Sequence, residues 1–415
     1  MSVQPGVLQL LRERGLVAQV THEPELARLL DHEPVTVYLG IDPTADSLHV
    51  GHLRAIMMLV HLQRAGHRPI ALVGGGTAMI GDPTGRTEMR PMLSREQIVA
   101  NTARIREQLL RFLDFRDGRA LLLDNAEWLL PLNYIEFLRE VGSQFSVNQM
   151  LTAEAFRTRM ERGLSFVEFN YMLLQAYDFL VLFRRYGCRL QVGGDDQWSN
   201  ILAGIDLIRR LERAQAFGLT CPLAVTASGR KMGKTERGAV WLDPAKTTPY
   251  EFFQYWRRVD DADVAGLLAT YTLLPMEEVR RLGRLQGAEL NEAKKVLAYE
   301  VTRLVHGQEA ADEALAAAQA LFQERRALDQ ASSVPTCWLT RQELEAGMGI
   351  VELLVRAGLA PSRSEARRLI GQGGVYLNDR RVEAAERTVR LDDLEDGRLL
   401  LRRGKKDYCV VRLRD

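Results

Sequence analysis

Cysteine is scarce in this chain: Cys188, Cys221, Cys337 and Cys409 are the four among 415 residues, far apart and without a C-x-x-C. That spacing argues against a zinc site or a disulfide framework and for a reducing compartment. Excess charge is also lacking. With 55 basic and 54 acidic residues the net charge is +1, so no global field draws the chain to nucleic acid or membrane, and such contacts must come from local patches. No apolar run reaches about 18 residues, which predicts no transmembrane helix. The start, Val7 to Leu16, reads as a short amphipathic helix rather than a cleavable signal. Histidine is sparse at seven, and only His49 and His52 are close enough to share a ligand.

What is present is a chain long enough for two or three domains, with 46% hydrophobic and 26% charged residues, as in ordinary soluble proteins. Its organising stretch runs from Tyr38 to His52. Val35 to Tyr38 is β-branched and aromatic and predicts a buried strand. Leu53, Ile56, Met57 and Val60 fall at helical spacing up to Arg64, and Gly66 ends the run. A strand, a Pro- and Gly-containing loop and a helix starting near His52 follow one another. A helix N-terminus offers unpaired N–H groups and partial positive charge, which suit phosphate. His49 and His52 sit there as two donors, and Gly51 lets a flat base or ribose approach the backbone. The alternative is that both imidazoles only cap the helix.

Pro69 to Val73, entering Gly74-Gly75-Gly76, predicts a second buried strand and so a βαβ unit in a parallel sheet. The loop after it, Thr77 to Arg86, lies where open α/β sheets bind ligands. Ser94-Arg-Glu-Gln97 opens a helix to about Asp114, Ala120 to Leu123 is a strand candidate, and Asn133 to Arg162 reads as a helical insertion able to pack on a second subunit. Ser165-Phe-Val-Glu168 opens a helix to about Tyr186 that is apolar nearly all round. On it Tyr171, Gln175 and Asp178 share one face and need partners, either a ligand or solvent. Arg189 to Gly194 is a further strand. Asp195 and Asp196 either serve the dipole of the next helix or hold ribose hydroxyls or an ammonium. Arg230, Lys231 and Lys234 crowd a glycine-punctuated loop, either a solvated basic loop or a phosphate clamp.

From Pro249 to about Arg325 the pattern is helical and reads as a bundle. Asp329 to Pro335 reads as a polar boundary. The remainder is mixed, with two helices, an Asn378-Asp379 hairpin and two late strands. Between Arg356 and Asp415 there are 15 basic and 10 acidic residues. Arg363, Arg367 and Arg368 share one helix, and Lys405 and Lys406 crowd a turn. This suits backbone contact with structured RNA, or else a solvated basic face.

In this order and spacing the residues resemble the class I aminoacyl-tRNA synthetases and, within them, the bacterial tyrosyl-tRNA synthetase family, over nearly the whole chain. His49-Val-Gly-His52 matches the H-I-G-H signature. Lys231-Met-Gly-Lys234-Thr235 matches K-M-S-K-S, with Gly233 and Thr235 in place of serines. Tyr38-x-x-x-Asp42-Pro-Thr44, Gly81-Asp82-Pro-Thr-Gly, Tyr171-x-x-x-Gln175-Ala-Tyr-Asp178 and Gly193-Gly-x-Asp196-Gln197-Trp look like the family's active-site blocks. Pro361 to Asn378 looks like the small RNA-binding module first recognised in a ribosomal protein. Asp195 departs from a common serine and Arg86 from a common lysine.

The resemblance implies an α/β fold: a Rossmann-like parallel-sheet catalytic domain with a helical insertion (1–225), a signature loop and α-helical domain (226–330), a linker (331–346) and a small α+β RNA-binding domain (347–415). It implies a cytoplasmic homodimer, without membrane attachment, that joins tyrosine to tRNA(Tyr) with ATP. Mg2+ arrives with ATP, and no protein-bound metal is expected. Thr44, His49, His52, Lys231, Lys234, Thr235, Arg86 and Arg90 are the implied catalytic set. Tyr38 and Asp178 are implied to reach the phenol, Asp82, Tyr171 and Gln175 the ammonium, with Gln197 beside them. Gly40, Asp42, Gly51, Gly194 and Asp196 join His49, His52 and Lys234 around ATP. Arg363, Arg367, Arg368, Lys405 and Lys406 face RNA.

Overall fold

The computed structural model describes residues 6–84, 92–152, 156, 160, 163–227, 229, 231–235, 238–323, 335–378, 380–395, 397–404 and 407–414. The chain forms two compact units, one of Met1–Thr247 with Gln254–Gln308, the other of Thr248–Phe253 with Glu309–Asp415.

In the first unit, helices α1 (Val7–Glu13) and α2 (Glu23–His32) precede β1 (Thr36–Ile41), α3 (Val50–Arg64), β2 (Arg68–Val73), α4 (Arg95–Leu109) and β3 (Leu121–Asp124). Three short helices follow, α5 (Ala126–Leu129), α6 (Tyr134–Glu140) and α7 (Val147–Leu151), then α8 (Phe166–Tyr186), β4 (Cys188–Gly194), α9 (Trp198–Glu212) and β5 (Phe217–Cys221). The five strands are all parallel in the order β3-β2-β1-β4-β5. Both faces of β1 and β2 are covered, which is why their sequences read as near-continuous apolar runs. Chain direction across the sheet reverses between β1 and β4, so a crevice opens beyond their carboxyl ends.

Helix α8 begins where its sequence predicts. Ser165 Oγ accepts from Glu168 N–H at 3.2 Å, and Glu168 accepts from Ser165 N–H at 3.1 Å. The helix stops at Gly187, whose φ of +63° suits glycine. By length and composition α8 is apolar enough to cross a membrane, contrary to the expectation of no such helix. Here it is a core helix, its Phe179, Leu180 and Leu182 fully buried in the cluster that includes Tyr38 and Ile70. Helix α3 starts at Val50 rather than near His52, because His49 is its cap.

The helical segment expected as a separate domain supplies α10 (Pro249–Arg257), α11 (Val264–Tyr271), α12 (Met276–Gly283), α13 (Leu290–His306) and α14 (Gln308–Gln323). Residues 254–308 belong to the same unit as the parallel sheet. Arg14 helps to join them: its guanidinium donates to the carbonyls of Ala269, Thr272 and Leu274 at 2.9, 2.9 and 2.6 Å.

The second unit contains a five-stranded sheet. It comprises β8 (Thr336–Thr340), β10 (Val375–Leu377), β11 (Arg380–Arg381), β13 (Arg398–Arg403) and β14 (Asp407–Arg414), ordered β11-β10-β13-β14-β8. Two small antiparallel ladders remain, β6 (Lys234–Thr235) with β7 (Gly238–Ala239) in the first unit and β9 (Met348–Gly349) with β12 (Thr388–Val389) in the second. Helices α15 (Arg341–Ala346), α16 (Ile350–Arg356) and α17 (Arg363–Gly371) complete the chain. The core gathers Leu339, Leu344, Ile350, Leu354, Val375, Leu399 and Val411. The expected linker 331–346 therefore divides. Residues 331–334 lie outside the described residues, whereas 336–346 form β8 and α15, because Cys337 and Leu339 are buried in this core.

Candidate active site

The carboxyl ends of β1 and β4 and the start of α3 enclose a cavity of about 520 Å³. Tyr38, Gly40, Asp42, Thr44, His49, Gly51, His52, Asp82, Tyr171, Gln175, Asp178, Gly194, Asp196 and Gln197 all line it. These sequence-predicted residues thus converge from four separate stretches.

At the α3 end the two histidines form a reciprocal cap. Gly51 N–H donates to His49 Nδ1 at 3.0 Å and His49 N–H donates to His52 Nδ1 at 3.1 Å, with the rings stacked at 3.9 Å. Both Nδ1 atoms are acceptors, so each neutral ring carries its proton on Nε2. The cap thus fixes the tautomer whose Nε2–H is of the kind that suits an anion, so capping does not exclude the phosphate-binding reading. The loop before α3 is held from α4, where buried Gln108 accepts from Leu48 N–H at 3.0 Å and Asn101 donates to Pro43 O at 3.0 Å. A Cβ at Gly40 would meet nothing within 4 Å, so the strand end is open to the cavity.

At the α8 end Asp178 is buried. Its oxygens accept from Asn125 Nδ2 at 2.8 Å and Trp128 Nε1 at 2.7 Å. Burial pushes its carboxyl up to about 7, although those two donors pull it down. Tyr38, 1% exposed, has a buried hydroxyl with no hydrogen-bond partner among the described residues. Burial, then the Asp178 charge, raise its phenol well above its ordinary value. Gln191, opposite Tyr38 in the ladder, also lines the cavity with a buried Oε1 lacking a partner among the described residues.

Between these ends is a set of oriented acceptors. Tyr171 donates to Asp42 at 2.8 Å, leaving its oxygen lone pairs as acceptors. Thr77 donates to the other Asp42 oxygen at 2.7 Å. Asp82 accepts from Gln197 Nε2 at 2.7 Å and Thr84 N–H at 2.9 Å. Asn200 donates to Gln175 Oε1 and Gln197 Oε1, each at 3.1 Å. Burial, then the Asp82 charge, raise the Asp196 carboxyl. Carboxylates and carbonyl oxygens converging in this way suit an ammonium group.

Lys231 is exposed, and its charge lowers the Asp196 pKa against the larger effect of burial. Lys234 and Thr235 lie in β6, their side chains outside the described residues, as are Arg86, Arg90, Lys405 and Lys406. Gly233 has φ +74°, and a Cβ there would lie 3.1 Å from Val50 Cβ, so this place in the second signature admits glycine and not serine without strain. Asp195 is not among the cavity-lining residues. It accepts from Gln19 at 2.7 Å and Thr220 at 2.9 Å, tying β5 to the N-terminal segment. In the second unit Arg363, Arg367 and Arg368 are exposed on α17, with Arg368 paired to Glu365 at 2.6 Å and Arg363 near Glu352 at 3.7 Å.

Sequence reasoning missed Asn125, Trp128, Thr77, Gln191 and Asn200. Gln191, a polar residue in an apolar strand, was the one visible signal; the others follow no motif.

Two family models match the chain: tRNA synthetases class I (W and Y) over residues 30–323, and a tyrosine–tRNA ligase SYY-like C-terminal domain over 328–411. It is 58% identical over 403 residues to a tyrosine–tRNA ligase of Caldanaerobacter subterraneus subsp. tengcongensis, covering 97% of this chain and 98% of that one. It is 55% identical over 408 residues to one of Acetivibrio thermocellus, covering 98% and 99%. A C-terminally truncated mitochondrial tyrosyl-tRNA synthetase of Aspergillus nidulans superposes with a TM-score of 0.70 at 31% identity, over 77% of this chain and 95% of that one. With the histidine cap, the second signature and both halves of the chain matched, the protein belongs to the class I tRNA synthetases of the tryptophan and tyrosine group, in its tyrosine–tRNA ligase branch.

Proposed function

We propose that the chain activates tyrosine with ATP, giving tyrosyl-adenylate and pyrophosphate, and then transfers the tyrosyl group to the 3′ end of tRNA(Tyr). The observation that carries the choice of amino acid is the buried Tyr38 hydroxyl without a partner among the described residues, in the same cavity as Asp178. A phenol entering there pairs with the Tyr38 hydroxyl and donates to Asp178, whereas phenylalanine leaves the Tyr38 hydroxyl unpaired. Asp82, Tyr171 and Gln175 take the ammonium, and Gln197 orients Asp82. Gly40, Asp42, Gly51, Gly194 and Asp196 surround the adenosine.

The attacking carboxylate is ionised at neutral pH, so the first step needs no protein base. The site has to position two anions in line and stabilise a crowded phosphate. Thr44 and the Nε2–H groups of His49 and His52 face the phosphates. Lys231 and Lys234, with Thr235, act on the pyrophosphate, and Arg86 and Arg90 join them. Mg2+ is supplied with ATP. Arg363, Arg367 and Arg368 on α17, together with Lys405 and Lys406, meet the tRNA backbone.

A homodimer is supported by Leu130, Tyr134, Ile135, Val147, Phe166 and Val167, all exposed apolar residues within 130–167. The enzyme works in the cytoplasm, away from membranes. Tyrosine-dependent ATP–pyrophosphate exchange tests the reading. Exchange with tyrosine and not with tryptophan or phenylalanine is expected; equal exchange with tryptophan would overturn it.

A further inference from the structure

The second signature loop is held over the first turn of α3 by its backbone. Val240 N–H donates to Gly233 O and Met232 N–H to Ala224 O, each at 2.7 Å. Arg54 fixes the latter segment by donating to Pro222 O at 3.2 Å and Leu223 O at 2.9 Å. Two further bonds come from the helical segment. Gly233 N–H donates to Tyr255 Oη at 2.9 Å, and Ala227 N–H donates to Asp263 Oδ1 at 2.8 Å. Neither Tyr255 nor Asp263 is among the cavity-lining residues. The Tyr255 ring packs edge-on at 5.3 Å against Trp256, which packs at 5.0 Å against Tyr271. Trp256 and Tyr271 are fully buried.

We propose that Tyr255 and Asp263 are positioning residues that hold Gly233 and Ala227, on either side of Lys231, and so set Lys231 beside the phosphate site before ATP arrives. Gly233 is buried, so its N–H has no water to turn to when the Tyr255 hydroxyl is removed. Asp263 holds the exposed end, where water can substitute. The clamp rests on the tyrosine-activation reading for its consequence, but not for its geometry. It makes the helical segment an active part of the first chemical step.

The test is Tyr255→Phe, which removes one oxygen and keeps the ring. Two things are measured: the single-turnover rate of tyrosyl-adenylate formation, and tryptic cleavage after Lys231 in the ligand-free enzyme. The rate should fall about tenfold, from loss of a buried hydrogen bond, with tyrosine affinity unchanged and cleavage accelerated. Asp263→Ala should lower the same rate about threefold. Wild-type rate and wild-type cleavage in Tyr255→Phe would overturn the clamp, as would a rate loss fully accounted for by weaker tyrosine binding. A wild-type enzyme inert toward tyrosine overturns the functional reading instead, and the cleavage measurement then still decides the clamp.

Discussion

Asn125 donates to the Asp178 carboxylate at 2.8 Å while its own carbonyl oxygen accepts from Gly76 N–H at 2.8 Å. One amide therefore ties the glycine turn after β2 to the acid at the inner end of the cavity. With Trp128 it keeps a buried carboxylate poised near neutrality. Asn125→Ala removes one of two donors and unpairs the turn. The expected result is tyrosine binding weakened about tenfold and stability lowered by about 1–3 kcal/mol, checked by equilibrium dialysis and urea unfolding.

Tyr38 sets function against stability. Its buried hydroxyl has no partner among the described residues, so the ligand-free fold bears the desolvation cost. Tyr38→Phe should raise the melting temperature of the ligand-free enzyme while weakening tyrosine binding about tenfold. The same scan at saturating tyrosine should show the gain shrink or reverse. A lower melting temperature without ligand would contradict the assignment.

His52 is both cap and donor. His52→Ala should lower the rate of adenylate formation by about 10²–10³ and leave tyrosine affinity nearly intact, because the proposed function assigns the ring to the nucleotide phosphates and not to the phenol. Loss of the cap should cost about 1 kcal/mol of stability. Rapid-quench kinetics with a binding titration separates the two. Gly233→Ala, which strains φ +74° and crowds Val50, should slow the same step without touching tyrosine binding.

Acid lability follows from buried histidines. His61, within α3, is held down to about 3, first by burial, then by the Arg14 and Arg64 charges. Burial, with Arg111 next, lowers His306 to about 4. In the unfolded chain both titrate near 6.5, so that state takes up protons the folded one refuses. Their contribution is complete above about pH 6.5 and is lost as pH falls toward 4 and then 3. Urea midpoints between pH 7 and 4.5 should decline, and less steeply in His61→Gln.

Chemistry that lies along one strand–loop–helix passage was legible in the sequence: His49, Gly51 and His52 sit together because chain neighbours do. The α8 start was legible because Ser165 and Glu168 form a local capping box. Asn125 and Trp128 were not, because only the strand order β3-β2-β1-β4-β5 and the packing of α8 bring them to Asp178. Asp195 read, like Asp196, as serving either the helix dipole or a ligand; Gln19 and Thr220 take it, and no local pattern predicts that long-range pairing. β8 was hidden for a related reason. Its Cys337 and Leu339 are buried, but the polar run before them reads as linker, and its parallel partner β14 is distant in sequence.

The most direct measurement is a crystal structure with a non-hydrolysable tyrosyl-adenylate analogue. The phenol should lie within hydrogen-bond distance of both Tyr38 Oη and Asp178, with the phosphate mimic beside His49 and His52 Nε2. A phenol touching neither side chain, or a phosphate mimic away from the α3 N-terminus, would contradict the account.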